Sequence, residues 1–534
     1  MALLLPRRAR PVALCGAPSR ASITISGTIQ VGSTVTITTS GTVTGLRRYL
    51  GGVDQGAISS PYTVVAADIG PSFTVRGNNG SVVSNALIFS DLATLSPKLL
   101  LDERGLTLVS TDHISAQADQ SGLGVASFTQ ATDSQRPILD QTISGVDAPD
   151  FNGYTQTLQS TAALSAIATS QNVWIACVLF VKDPTSPASW LAATPATYYL
   201  GHAAFGSSAN SMALEVYDVA GTKKVALGKY GGSTINAAEQ TITRFVPHII
   251  EARATGTTAG ISVDGAAETT AAVDLSFNST AETLGEGFTA SGGVYPGLVG
   301  TLIAFNATPS ANTKATIHAF LAYKYDTSER SAITGKTWLP CGDSETEGDT
   351  ASAGDTVGGS RVVAAAYLRS LGKAFTVVGP YGSAAYGLHR GVAGETAQTV
   401  ATTGLSAFNT LLSSTLPTFA SMSWAVNDIA AGRTTAQVLA DLDTIWTNGV
   451  ASSPSTRWFV QTCIKPGAGA AAGYGSNRAE CDTFNAALPA WAASRGITMI
   501  DRGAPPLGAD QIHPTLWGYR SIGQAEGLAL AAYV

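Results

Sequence analysis

One short stretch near residue 340 constrains the C-terminal third of this chain more than any other. An apolar run, Thr337–Leu339, leads into Gly342, Asp343 and Ser344, so a strand is predicted to end in a sharp turn that presents one serine. A serine hydroxyl is a poor nucleophile unless a base takes its proton and donors await the oxyanion. If Ser344 reacts, later residues must supply a base, a group that orients the base, and those donors.

The pattern after this stretch predicts alternating strands and helices. Short apolar runs recur at Thr337–Cys341, Phe375–Gly379, Phe419–Val426, Arg457–Ile464 and Ile497–Asp501. Between them lie helical patterns, one of which begins with the capping box Thr434-x-x-Gln437. Such alternation indicates a parallel sheet with helices on both faces, in which sites form outside the carboxyl ends of the strands.

Four segments that carry reactive or donor groups follow predicted strand ends. They are Gly342–Gly348, Gly391–Thr396, Ala425–Asp428 and Asp510–Pro514, the last of which precedes a final predicted helix. Each alone is a weak signal. Together, and in this order, they resemble the four blocks of the SGNH (GDSL-type) hydrolases, whose fold is a flavodoxin-like α/β/α sandwich.

The resemblance implies a role for each matching residue. Ser344 corresponds to the nucleophile, His513 to the general base and Asp510 to the carboxylate that holds the imidazole. The backbone N–H groups of Ser344 and Gly394, with the side-chain amide of Asn427, correspond to the oxyanion hole. The implied reaction is acyl transfer and hydrolysis, with no metal and no cofactor.

Two positions depart from the family pattern. Ala425 stands where the third block usually opens with glycine, and Glu345 follows the serine where an apolar residue is commoner. Glu345 is expected either to face solvent or to disfavour acidic substrates. Asp428 is expected to secure its loop and not to react. An inactive copy that only binds is the alternative that these departures leave open.

Details around the second block indicate a substrate class. The run Gly359–Arg361 into a helix, then Phe375–Pro380, then His389–Gly391, resembles acetyl-xylan-esterase-type members of the family, which remove O-acetyl groups from polysaccharides. His389 and Arg390 are candidates for substrate contact, with a plain surface loop as the alternative. A lipase or thioesterase with long acyl substrates is a further alternative.

The first two thirds of the chain read as two β-rich modules. Residues 21–91 alternate with period two, as in Val31–Ile37, and resemble small bacterial and phage immunoglobulin-like domains. Residues 92–330 resemble concanavalin A-like (laminin G-type) sandwiches, with a central hairpin near His248–Gly265 and a closing helix near Phe320–Tyr325. Residues 331–534 are predicted to form the hydrolase domain. The predicted fold class is thus two β-sandwich domains followed by an α/β/α domain.

Glycan binding by the second module is open. Its aromatic residues could stack on sugars or belong to the core; they are Trp174, Trp190, Tyr198 and Tyr199. Its histidines show no metal-ligand spacing and are expected to be ordinary residues; they are His113, His202, His248 and His318. The five cysteines are too few and scattered for a disulfide framework, leaving a Cys463–Cys481 bridge or free buried thiols.

Charge and hydropathy argue against two classes of partner, nucleic acid and membrane. Only 13% of residues are charged, about half the usual share, which favours turn-rich β modules. A net charge of −6 gives no reason to expect nucleic acid. No apolar run approaches the ~18 residues of a membrane helix, so membrane insertion is not expected.

Residues 1–20 read as a basic arm, either flexible or docked on a neighbouring subunit. Its apolar residues precede its basic ones, the reverse of a secretory signal. Together with the modules, this predicts a phage or phage-like tail protein in a virion, acting on O-acetylated capsule or lipopolysaccharide, with the arm contacting other tail proteins. The alternatives are an inactive receptor-binding tail protein and a secreted bacterial carbohydrate esterase.

Overall fold

The computed structural model describes most of the chain. The described residues are 21–89, 91–109, 113–123, 127–139, 142–152, 156, 158–160, 172–182, 197–204, 212–219, 222–229, 236–243, 245–272, 283–284, 295–327, 336–348, 359–373, 375–383 and 387–534. The predicted basic arm at 1–20 and the candidate stacking residue Trp190 lie outside them.

The first module consists of two antiparallel sheets. Its strands are β1 (Ser22–Gly27), β2 (Thr34–Ser40), β3 (Arg47–Leu50), β4 (Val53–Ala57), β5 (Tyr62–Thr63), β6 (Phe73–Gly77) and β7 (Val82–Val83). The sheets have the orders β1-β2-β5 and β4-β3-β6-β7. Alternate residues such as Ile25 and Ile37, which face each other across β1 and β2, are buried, as a strand with one solvent face requires. The likeness to immunoglobulin-like domains stays a prediction.

The second module holds most of the strands. They are β8 (Leu99–Leu101), β9 (Leu106–Leu108), β10 (Ile114–Ala118), β11 (Ser127–Thr129), β12 (Thr142–Ile143), β13 (Val146–Asp147), β14 (Asp150–Asn152), β15 (Leu158–Ser160), β16 (Asn172–Val181), β17 (Thr197–Ala204), β18 (Met212–Val219), β19 (Thr222–Lys229), β20 (Asn236–Thr241), β21 (Pro247–Thr255), β22 (Thr258–Val263), β23 (Thr269–Ala272), β24 (Thr283–Leu284) and β25 (Pro296–Phe305). Helix α1 (Ala311–Tyr325) follows them. Short 3₁₀ turns lie at Ala66–Asp68, Asn78–Gly80, Leu92–Leu95, Glu103–Gly105 and Asp133–Gln135.

Strand β16 shows how the second module is packed. It lies between β25 and β21 in a seven-stranded antiparallel sheet, and every residue after its first is buried. One set of alternate side chains, including Ile175 and Cys177, belongs to the module's own core. The other set, including Trp174, packs with α1 and with residues of the first module in a continuous apolar cluster. Trp174 is therefore a core residue, not a sugar platform. The likeness to concanavalin A-like domains stays a prediction.

The C-terminal domain is built on a mostly parallel sheet. Its strands are β26 (Lys336–Gly342), β27 (Phe375–Val377), β28 (Tyr381–Ser383), β29 (Gly387–Gly391), β30 (Phe419–Ser423), β31 (Arg457–Gln461) and β32 (Thr498–Ile500). Its helices are α2 (Ser344–Glu347), α3 (Gly359–Ser370), α4 (Ala397–Thr399), α5 (Leu405–Thr415), α6 (Val426–Ala430), α7 (Thr435–Ser452), α8 (Arg478–Ala493) and α9 (Leu516–Ala531), with a π turn at Val400–Gly404.

The strand order matches the flavodoxin-like expectation. Five strands lie side by side in the order β27-β26-β30-β31-β32, and every pairing among them is parallel. Numbered 1 to 5 along the chain, this is the order 2-1-3-4-5. Apolar clusters lie on both faces, since Leu339 packs into one and Trp338 into the other. The predicted capping box at Thr434 is present at the start of α7. Among the described residues, no helix is both long and apolar enough to span a membrane.

Strand β29 is an element that the sequence pattern did not predict. It pairs in parallel with the end of β26, where Cys341 and Gly342 face Arg390 and Gly391, and it forms an antiparallel hairpin with β28. The sequence pattern alone predicts that the second block lies in a loop after the strand at Phe375–Gly379. Its first residue, Gly391, instead ends a strand of its own, directly beside Gly342.

The second module and the C-terminal domain are in direct contact. The turn between β12 and β13 lies against α3, because the Arg369 guanidinium donates to the Ser144 carbonyl at 2.7 Å. Arg520 on α9 pairs with Asp147 at 2.9 Å and donates to the Leu139 carbonyl at 3.0 Å. Trp517, also on α9, packs against the core of the second module.

Candidate active site

The sheet brings three of the four predicted segments to one edge. Strand β26 ends at Gly342, whose parallel neighbours are Gly391 on β29 and Ser423 on β30. Asp343 then caps α2, because its Oδ1 accepts the N–H of Glu345 at 3.1 Å. This turn places Ser344 at the first position of a helix, at the carboxyl edge of the sheet, where parallel sheets form their sites.

Ser344, His513 and Asp510 form a continuous chain of hydrogen bonds. His513 Nε2 lies 2.8 Å from Ser344 Oγ, and His513 Nδ1 lies 2.6 Å from Asp510 Oδ2. With Nδ1–H donating to the carboxylate, Nε2 is left as the acceptor for the serine proton. The structure thus brings together a nucleophile, a base and the group that orients the base, although the serine and histidine are 169 positions apart.

Asp510 is held as an ionised carboxylate. Partial burial acts to raise its pKa, but N–H groups of Ile512 and His513 and the His513 ring donate to it, and the net effect lowers the pKa below its usual value. The two backbone bonds, at 3.0 and 3.1 Å, also form the tight turn that carries the imidazole. The same carboxylate therefore shapes the loop and orients the base.

The predicted oxyanion donors belong to segments whose strands end side by side in the sheet. Ser344 N–H is at the start of α2, and Gly394 follows β29 with φ +74°, a conformation that favours glycine. A Cβ at residue 394 would meet nothing within 4 Å, so the backbone conformation, not crowding by the protein, requires this glycine. Asn427 lies in the first turn of α6, and its Nδ2 donates to the Glu395 carbonyl at 3.1 Å.

Asp428 supports the segment that follows Gly394. Its buried carboxylate accepts the N–H of Ala397 at 2.7 Å and of Gln398 at 3.3 Å, and thereby caps α4. Burial raises its pKa, while these backbone donors oppose the shift. This geometry agrees with the prediction that Asp428 secures a loop.

His389 and Arg390, the candidates for substrate contact, are engaged within the protein. His389 is 1% exposed, and its Nδ1 accepts the N–H of Gly391 at 3.0 Å. Arg390 makes a two-point ion pair with Glu395, with both distances 2.8 Å. Trp424 Nε1 also donates to that carboxylate at 3.0 Å. These contacts are made to the second block itself, so neither side chain presents a free group to a substrate.

Glu345 contradicts both expectations for its position. Its side chain is 1% exposed, so it neither faces solvent nor repels acidic substrates, and its Oε2 lies 2.8 Å from Arg502 Nη1. Arg502 follows β32 and is fixed by donating through Nε to the Thr462 carbonyl at 2.6 Å. Burial raises the pKa of Glu345, and the Arg502 charge opposes that shift.

A second carboxylate lies beside this ion pair. Asp343 is fully buried, and its pKa is raised well above the usual value, first by burial and then by the neighbouring Glu345. One arginine cannot balance two carboxylates, so we infer that Asp343 holds a proton while Glu345 pairs with Arg502. Further back, Glu526 accepts from Gln461 Nε2 at 2.8 Å, and burial raises its pKa to about 7.

The cysteines near the site are thiols. Cys463 Sγ and Cys481 Sγ lie 3.6 Å apart, and both are free and buried, which is the second of the two alternatives drawn from the sequence. Within the described residues, no group of three or more His, Cys, Asp or Glu side chains is arranged to hold a metal ion.

Sequence reasoning missed two residues that matter to this site. Arg502 follows the last strand, next to Asp501. Its role depends on its ion pair with Glu345, which lies 157 positions earlier in the sequence. Tyr474 lies in a glycine- and alanine-rich loop, and its hydroxyl lies 2.6 Å from Asn427 Oδ1. No local pattern marks either residue, because each role depends on a contact between distant loops.

Comparison with known proteins gives one family match. Residues 341–521 match the model of the GDSL-like Lipase/Acylhydrolase family. No curated protein sequence matches the chain significantly.

Three solved structures illustrate the structural likenesses. A carbohydrate esterase family 3 protein from Talaromyces cellulolyticus is 18% identical, covering 37% of this chain and 99% of its own, with a TM-score of 0.31. A family 3 carbohydrate esterase from Clostridium thermocellum is 18% identical, covering 36% and 92%, with 0.30. Est24, a carbohydrate acetylesterase from Sinorhizobium meliloti, is 17% identical, covering 37% and 100%, with 0.32.

Proposed function

We propose that this chain, whose residues 341–521 form a GDSL-type acylhydrolase domain, is a serine esterase that removes O-acetyl groups from cell-surface polysaccharide. The observation that carries the proposal is the hydrogen-bond chain from Ser344 Oγ through His513 to Asp510, at 2.8 and 2.6 Å. A hydroxyl that already points its proton at an oriented imidazole is prepared for nucleophilic attack.

The reaction proceeds in two acyl transfers. Ser344 Oγ attacks the acetyl carbonyl carbon while His513 Nε2 takes the hydroxyl proton, and the resulting imidazolium gives that proton to the departing sugar oxygen. Water then attacks the acetyl-serine, and His513 takes a proton from it and returns one to Ser344 Oγ as acetate leaves. Asp510 stays ionised and stabilises each imidazolium.

Charge on the carbonyl oxygen is stabilised by hydrogen-bond donors. The N–H groups of Ser344 and Gly394 and the Asn427 amide are the proposed donors. Such preorganised donors are usually the largest catalytic contribution in acyl transfer, and loss of one typically costs on the order of 100–1000-fold in rate.

The substrate class rests on two observations. The segments Gly359–Arg361 and His389–Gly391 resemble acetyl-xylan-esterase-type sequences. In addition, Glu345, which departs from the family pattern at the position after the nucleophile, is buried and ion-paired. Its charge therefore does not face the substrate. An anionic capsule or lipopolysaccharide is therefore compatible with the site.

The first experiment compares p-nitrophenyl acetate, butyrate and octanoate as substrates for the full chain and for Ser344→Ala. We expect turnover that is fastest on acetate and is lost in the variant, followed by acetate release from an acetylated polysaccharide. Faster turnover of octanoate would favour a lipase or thioesterase. Absence of turnover by the unmodified chain would favour the receptor-binding alternative.

The setting we propose is a phage or phage-like tail that carries the esterase to the surface of a new host. Its support is the modular sequence, in which β modules that resemble phage and glycan-binding domains precede the hydrolase. Mass spectrometry of purified particles should find the chain in the virion. Detection only among free secreted proteins would contradict this setting and favour a secreted bacterial esterase.

A further inference from the structure

One loop of the C-terminal domain contacts both halves of the candidate site. The loop formed by residues 465–477, here named the bridging loop, connects β31 to α8 and is rich in glycine and alanine. Every residue of it is described. Its two ends have different neighbours: the loop that carries the base on one side, and the oxyanion segment on the other.

The first half of the bridging loop is attached to the base loop. The N–H of Gly467 donates to the Gln511 carbonyl at 2.7 Å, and the N–H of Gly469 donates to Gln511 Oε1 at 2.7 Å. Gln511 lies two residues before His513 and has φ +58°. A Cβ on Gly467 would lie 2.7 Å from Gln511 Cβ, so the two loops can approach this closely only at a glycine.

The second half of the bridging loop is attached to α6, which carries Asn427. Asn477 Nδ2 donates to the Ile429 carbonyl at 2.9 Å. Gly473 has φ +92°, and a Cβ there would lie 2.7 Å from the Ala430 carbonyl. Between these two contacts, the Tyr474 hydroxyl meets Asn427 Oδ1 at 2.6 Å.

The partners of Asn427 determine which way its amide faces. One end of the amide lies 3.1 Å from the Glu395 carbonyl, which can only accept, so that end is the NH₂ group. The other end is therefore the oxygen, and the Tyr474 hydroxyl must donate to it. With Oδ1 held by Tyr474, the amide cannot rotate to present its oxygen to the nucleophile, and the second N–H remains for a substrate oxygen.

We propose that Tyr474 is a positioning residue of the oxyanion hole, which acts by holding the Asn427 amide with its NH₂ group directed to the developing oxyanion. This inference rests on the proposed esterase function. Burial raises the pKa of the Tyr474 hydroxyl, so it keeps the proton that it donates. The bridging loop holds the tyrosine against α6 while its other half is bonded to the loop that carries His513.

The test uses the full chain and p-nitrophenyl acetate. Tyr474→Phe removes the hydroxyl and keeps the ring, so we expect kcat to fall about 10-fold, less than the loss of a whole donor, with KM within about twofold. The matched control is Tyr533→Phe, whose hydroxyl bonds Thr498 at the opposite end of the sheet. That variant should keep wild-type kcat and KM.

A double variant separates positioning from a general structural role. Asn427→Ala should lower kcat on the order of 100-fold, and Tyr474→Phe should lower it no further in that background, because the group it positions is absent. A kcat unchanged in Tyr474→Phe, or losses that multiply in the double variant, would overturn the proposal.

Failure of the proposed function would look different. If Ser344→Ala kept wild-type turnover, the serine esterase assignment would fail, and the positioning role of Tyr474, which rests on it, would fail as well. If turnover required Ser344 but not the Tyr474 hydroxyl, the esterase would stand and only the positioning role would fall.

Discussion

The carboxylates near Ser344 fall into two groups whose pKa values are shifted in opposite directions. Asp510 is partly exposed and accepts three hydrogen bonds from its own loop and from His513, so its pKa is lowered. Asp343 and Glu345 flank the serine in sequence but are buried, and their pKa values are raised. The comparison teaches that proximity to a nucleophile does not define a carboxylate's role. Donors and exposure decide which one orients the base and which ones support the turn.

The largest effect should come from Asp510, the partly exposed carboxylate. Asp510→Asn replaces the acceptor that fixes the His513 tautomer, so kcat on p-nitrophenyl acetate should fall on the order of 10³-fold or more with KM little changed. The control is Asp482→Asn, which removes an exposed carboxylate paired with Lys465. If Asp510→Asn kept more than a tenth of wild-type kcat, the distinction between the two groups would collapse.

Changes at the buried carboxylates should alter the stability of the folded chain. Arg502→Met leaves the buried Glu345 carboxylate without its cation, so the free energy of unfolding should fall by about 3–5 kcal/mol at neutral pH. The uncompensated Glu345 carboxylate would have to be protonated in the folded chain, as Asp343 already is, and the loss of stability should shrink as pH falls towards 5. Urea unfolding at several pH values measures this.

A double variant sharpens that result. Glu345→Gln combined with Arg502→Met removes one carboxylate along with the arginine, and it should recover part of the lost stability. A double variant that is as unstable as the sum of its parts would show that the ion pair is not what holds this region together.

Glu526 gives a smaller, pH-dependent effect. Its pKa is about 7 in the folded chain against an ordinary 4.5, so the folded chain binds more protons between these values. The stabilisation is fully present below 4.5 and is lost as pH rises through 7. Relative to Glu526→Gln, the wild type should therefore lose stability between pH 5 and 8, by about 3 kcal/mol at most. A stability difference that does not change with pH would contradict the burial argument.

The smallest effect should come from an exposed ion pair in the same domain. Lys465 and Asp482 lie 2.5 Å apart, but their side chains are 40% and 58% exposed. Lys465→Ala should change the free energy of unfolding by no more than about 0.5 kcal/mol. A loss comparable to that of Arg502→Met would remove the contrast between buried and exposed pairs.

Much of the catalytic geometry follows from sequence because strand ends meet. The apolar runs at Thr337–Cys341 and Phe419–Val426 indicate parallel neighbours, and residues that follow parallel strands necessarily share an edge. That argument places Ser344 and Asn427 at the same end of the sheet, whereas the second block reaches it through β29, which the pattern does not predict. The Asp510–His513 turn adds only a local hydrogen-bond pattern, which the three-residue spacing suggests.

What the sequence did not predict depends on contacts across loops. The fate of Glu345 is decided by Arg502 after another strand, and that of Asn427 by Tyr474 in a loop of low complexity. Arg390 was expected near substrate, yet Glu395, five residues later, takes both of its guanidinium nitrogens. Charge pairing between loops has no period, so neither helical nor strand patterns reveal it.

Helix α9 has a consequence for anyone who wishes to cut or exchange these modules. It begins three residues after His513, and its Trp517 and Arg520 lie against the second module. Separating the chain between α1 and β26 would expose an indole and leave a guanidinium without its carboxylate, immediately after the turn that carries the imidazole. The C-terminal domain should therefore be transferred to another protein only together with the second module, as a single unit.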